Sequence, residues 1–112
     1  MLNARHKLAQ TVANELLPAE RDVDEAILRS SRLAIAVVEG RRTLKVALTA
    51  GQQGLELVTQ ATASLVHARG LLAEAHVAFR QTQSEIGLDA FSYGDMGECP
   101  PAKGELKIVE AA

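Results

Sequence analysis

Three histidines, one cysteine and eight arginines are the side chains of this 112-residue sequence with the most chemistry to offer. His67 and His76 stand nine residues apart in a stretch of helical apolar spacing. At about 100° per residue they fall on opposite sides of one helix. A single chain therefore cannot bring both to one metal ion, and rim or surface positions are expected for the histidines. Cys99 stands before Pro100-Pro101, with Asp95 and Glu98 nearby. Acidic neighbours disfavour the thiolate, so a structural cysteine is expected rather than a nucleophile. One cysteine also excludes an intramolecular disulfide and suits a reducing compartment. The sequence lacks a phosphate loop with Lys, G-x-S-x-G, H-E-x-x-H and C-x-x-C. "GQQG" (51–54) has neither a lysine nor a preceding strand. The expectation is a protein that is not an enzyme and carries no metal or cofactor.

The cations are concentrated. Arg29, Arg32, Arg41, Arg42 and Lys45 lie close together with Glu39 the only acid among them, whereas acids dominate from Glu85 onward. On a helix Arg41 and Lys45 share one face, and Arg29 and Arg32 lie on another. No aromatic residue interleaves them for base stacking, and the formal net charge is −2. This argues against nucleic acid as the partner. The acidic tail is the simpler partner for the basic stretch, in the same subunit or a neighbour. Arg41 and Arg42 are the candidate contacts, because a guanidinium offers paired planar donors to a carboxylate or a phosphate.

These residues have to be positioned by helices. Aromatic residues make up only 3% of the chain and alanine occurs 19 times, so the core is thin and aliphatic. At about 25 cal/mol per Å² of buried apolar area such a core is marginal for a lone monomer. Leu2, Ala9, Val12, Ala13 and Leu16 form a modest helical stripe within residues 1–17. Pro18 should end it, since the residue before a proline is pushed out of the helical region. A second helix is expected over about 20–44, with Val23, Ile27, Ser30, Ala34, Val37 and Leu44 in a row that Arg41 interrupts. A competing reading pairs residues 33–38 ("LAIAVV") with 43–49 ("TLKVALT") as a β-hairpin. The helical reading prevails because the apolar row starts ten residues earlier at helical spacing.

The third helix should run over about 50–86. Thr49-Ala50-Gly51-Gln52 fits a capping box, with Leu48 placed to act as its apolar staple. Val58, Ala61, Leu65, Ala68, Leu72, Ala75 and Phe79, continuing to Thr82 and Ile86, alternate at spacings of three and four. The first seven are the candidate interface, a heptad seam whose small members admit a partner helix closely. Gly87 suits the left-handed conformation that ends a helix, and Leu88 can fold back on it. Beyond them, glycines and the proline pair make an irregular tail over 87–112. It holds Phe91 and Tyr93, which would share one side of an extended strap laid on the helices.

The block from Val66 to Pro101 resembles the C-terminal half of small helical proteins from bacteriophage and prophage regions of α-proteobacteria. The matching residues are Thr82 to Leu88, then Tyr93-Gly94-Asp95 and Cys99-Pro100-Pro101. The resemblance implies a phage accessory or virion-associated helical protein and carries no catalytic motif.

The resulting expectation is one all-α domain: a short N-terminal helix (1–17), a long antiparallel helical hairpin (20–86) and an irregular C-terminal tail (87–112). Its expected function is assembly as a homo-oligomer, most simply a dimer, with another phage or host protein as a further partner. One alternative is an oligomeric nucleotide-binding or sequestering protein using interface arginines. Another is a nucleic-acid-binding accessory protein. No apolar run in the sequence reaches the roughly 18 residues that span a membrane, and a cytoplasmic or virion-associated location is expected.

Overall fold

A computed structural model describes residues 1–88. It holds two helices and, among the described residues, no strand: α1, Leu2–Leu44, and α2, Gln52–Glu85. Residues 33–44 belong to α1, and residues 45–51 make the turn that follows. The strand alternative for 33–49 is therefore excluded.

The separate N-terminal helix is corrected. Pro18 lies inside α1, and the helix runs through it. An interior proline removes one hydrogen bond and crowds the carbonyl four residues back, at a cost of about 3 kcal/mol. Burial on either side offsets this: Leu17 is buried, and Leu16, Ala19 and Glu20 are half-buried.

The chain divides into two compact units. One contains Met1–Pro18 and the chain from Leu72 onward, and the other is Ala19–Leu71. In the first, Arg5 Nη1 donates to the Ile86 carbonyl at 3.1 Å. In the second, Arg69 Nε donates to Asp24 Oδ1 at 2.6 Å, and the Thr62 hydroxyl donates to the Ser30 hydroxyl at 3.0 Å.

Both helices end in left-handed residues. Lys45 has φ 54°, and its amide donates to the Arg42 carbonyl. Gly87 has φ 83°; its amide donates to the Ser84 carbonyl, and that of Leu88 to the Gln83 carbonyl. This pair of bonds is the Schellman closure expected at Gly87, and Leu88 is completely buried.

The start of α2 differs from the expected capping box. Leu55 N–H donates to the Gly51 carbonyl, so Gly51 is the N-cap, and the helix begins at Gln52. The Gln52 amide donates to the Thr49 carbonyl, while its side chain reaches forward to Glu56. Leu48 is exposed and makes no staple. The backbone turn at Gly51, φ 78°, sets this geometry. A Cβ there would sit 3.1 Å from Val37 Cγ1, so glycine answers both a left-handed backbone and a close approach.

Candidate interaction surface

The residues that α1 covers form one continuous row. Val23, Ile27, Ser30, Ala34, Val37 and Arg41 are all half-buried. Arg41 occupies the position the apolar pattern left vacant; a guanidinium on a three-carbon stem covers apolar surface while its head reaches water. Leu44, the expected end of that row, is exposed, as is Arg42. Both arginines stand in the last turn of α1, where positive charge complements the helix dipole. Phe91 and Tyr93, the other candidate contacts, lie outside the described residues, as does Cys99.

On α2 the covered row coincides with the expected seam at five of its seven candidate positions. Val58, Leu65, Ala68, Leu72 and Ala75 are half-buried. Ala61 is exposed, and Phe79 keeps 47% of its surface in solvent. Thr62 and Gln83, one residue beyond the exposed Ala61 and Thr82, are half-buried in their stead, and His76, beside the half-buried Ala75, is 1% exposed. Apolar spacing alone passes over them because they are polar.

Each polar insertion is compatible with burial because its polar atoms are matched. Thr62 donates to Ser30, whose own hydroxyl donates to the Ala26 carbonyl at 2.9 Å. Gln83 Nε2 donates to the Leu88 carbonyl at 2.7 Å. Among the described residues no buried side-chain nitrogen or oxygen lacks a partner. The rim position expected for His76 is thereby corrected. Nine residues from His67 it does face the opposite way, but inward, while His67 is exposed.

In the unit that contains both chain ends, Leu8, Val12 and Leu16 of α1 and His76, Phe79 and Ile86 of α2 line a shallow apolar groove. Arg80 and Gln83 stand on its wall. Nothing in this groove pairs a nucleophile with a base. Among the described residues no cluster of histidine, cysteine and carboxylate side chains could hold a metal ion, and no helix is long and apolar enough to cross a membrane.

The dominant surface feature is apolar exposure. Among the described residues Leu17 and Leu88 are the only buried apolar side chains, against fourteen large apolar side chains that are exposed. Leu28, Leu33, Ile35 and Val38 on α1, and Leu57, Val66 and Leu71 on α2, belong to the unit Ala19–Leu71 alone. Scattered exposed leucines are ordinary, but so complete an imbalance means that two helices have not closed a core by themselves.

No protein-family model matches the chain, and neither a curated protein nor a solved structure matches it.

Proposed function

We propose that this chain is a non-enzymatic helical assembly protein, an antiparallel two-helix hairpin that completes its core by pairing with copies of itself. The observation that carries the reading is the imbalance of burial among the described residues: two buried apolar side chains against fourteen large exposed ones. A pair of helices offers each helix only one neighbour. Four helices bury two faces of each, which is the common solution for chains of this pattern. A homodimer is the simplest assembly of that kind. The antiparallel course is supported by the pairing within Ala19–Leu71, where Asp24 meets Arg69, Ser30 meets Thr62 and Val37 meets Gly51. The partner numbers fall along α2 as they rise along α1.

The phage or prophage setting rests on the resemblance, which covers roughly residues 20–101 and is carried by the block 66–101; it implies an accessory or virion-associated assembly. Light scattering on the eluting peak of a size-exclusion column tests the reading. The expected mass is that of a dimer or a higher even assembly at micromolar concentration, and a monomeric mass there overturns it.

A further inference from the structure

The exposed apolar residues of Ala19–Leu71 are not distributed evenly around α1. Asp24, Leu28, Ser31, Ile35, Val38 and Arg42 follow one another at spacings of four, three, four, three and four. That is a heptad row on one flank of the helix, beside the row that α2 covers. All six are exposed. The row is uncharged from Leu28 to Val38, an acid closes one end and an arginine the other. The opposite flank of α1 carries Arg29 among its apolar residues, ion-paired with Glu25, and is a poorer surface to bury.

The row has a symmetry of its own. Reversed about the level of Leu33, it returns to itself: Asp24 falls opposite Arg42, Leu28 opposite Val38, and Ser31 opposite Ile35. The neighbouring flank of α2 behaves in the same way. Gln52, Leu55, Thr59, Ala63 and Val66 reverse about Thr59, bringing Gln52 to Val66 and Leu55 to Ala63, and none of them is charged. With Ser30 beside Thr62 and Asp24 beside Arg69, the level of Leu33 on α1 corresponds to that of Thr59 on α2. One axis therefore serves both helices. Gly70, further along this flank of α2, has open space where a Cβ would stand.

Resting on the assembly reading above, we infer that a second copy of this chain docks on this face about a two-fold axis lying across the helices at Leu33 and Thr59. α1 packs antiparallel on its counterpart, and α2 on its own. The occupant is a second copy because the spacing of the row and the charges at its ends are self-complementary: an isologous interface sets residue i against j and j against i, which brings an acid to an arginine at each end. Asp24 of each copy meets Arg42 of the other at the two rims, and the apolar residues lie between. Asp24 already accepts one hydrogen bond from Arg69, and a carboxylate has the capacity for a second cation.

The test uses the full chain with Cys99→Ser as background. Thr59→Cys places one thiol from each copy at the axis and should form a disulfide-linked dimer on mild oxidation. Gln60→Cys, directed away from this face, should not. Asp24→Arg and Arg42→Asp should each weaken the dimer by roughly tenfold, since each sets like charges together at both rims. The double variant should recover most of the loss in dimerisation, less what the broken Asp24–Arg69 bond costs each chain; residues 24 and 42 lie too far apart along α1 for a contact within one chain to explain the recovery. Circular dichroism confirms that each variant remains helical. A dimer that links through residue 60 and not 59, or that ignores the charge reversals, overturns this face and leaves the assembly reading intact. A monomeric parent chain overturns both.

Discussion

Thr62 of α2 and Ser30 of α1 join hydroxyl to hydroxyl at 3.0 Å, in the row where each helix covers the other. The pair leads from Thr62 through Ser30 to the Ala26 carbonyl, so neither oxygen is buried without a partner. Truncating one member removes the bond between the helices, while the remaining hydroxyl keeps a carbonyl of its own helix, Val58 for Thr62 and Ala26 for Ser30, so each single change should cost about 1 kcal/mol or less. Removing both, as Ser30→Ala with Thr62→Val, should cost less than the sum of the single changes. A double-mutant cycle from urea unfolding measures this coupling. Additive effects would mean that the two hydroxyls act independently.

Gly51 should resist substitution. Gly51→Ala combines a left-handed backbone with a methyl group 3.1 Å from Val37 Cγ1. The backbone alone costs about 1 kcal/mol, and the contact adds to it. The companion change Val37→Ala should recover part of the loss by making room. Thermal melts of the two single variants and the double variant decide the matter.

Pro18→Ala should stabilise the protein. The substitution returns an amide to α1 opposite the Asn14 carbonyl and relieves the ring's crowding. The gain is on the order of 1–3 kcal/mol after subtracting the proline's restriction of the unfolded chain. A rise in Tm with unchanged helix content is the expected result. A fall would show that the proline ring is held by packing that alanine cannot replace.

The end of α2 should be sensitive at two adjacent positions for different reasons. Leu88→Ala removes a completely buried side chain and should cost about 2–5 kcal/mol. Gly87→Ala keeps the packing but strains a residue at φ 83°, costing about 1 kcal/mol. Denaturant titration should rank them in that order. At Lys45, which adopts φ 54° without being glycine, Lys45→Gly should move the midpoint the other way by a few tenths of a kcal/mol.

The two long helices were legible because their apolar rows are long. Val23, Ile27, Ser30, Ala34 and Val37 lie in the covered row where their spacing puts them. Gly87 and Leu88 were legible because a glycine followed by a leucine at the end of a periodic row has one common physical use. Pro18 misled because local preference was weighed without the burial around Leu17. Gln52 misled because a capping box is a pattern of side chains, whereas the turn here is set by the backbone of Gly51. Most of the α2 row is legible: Val58, Leu65, Ala68, Leu72 and Ala75 are covered where their spacing puts them, but Thr62, His76 and Gln83 face inward with their polar atoms matched, which no hydropathy pattern records. The row from Asp24 to Arg42 on α1 does not stand out in the sequence because its apolar residues are diluted by serine, and it emerges only once the row covered by α2 is set aside.

The division of the chain into two units has a consequence for the order of folding. Ala19–Leu71 is one uninterrupted segment, so its contacts close a single loop around residues 45–51. The other unit joins the first eighteen residues to those beyond Leu71. Its contacts, such as Arg5 with the Ile86 carbonyl, wait for the loop entropy that the first segment has already spent. Ala19–Leu71 therefore closes before residues 1–18 can pair with the end of α2. The apolar residues at the start of α1, Leu8 and Val12 among them, remain without a counterpart until the last turns of α2 have folded against them.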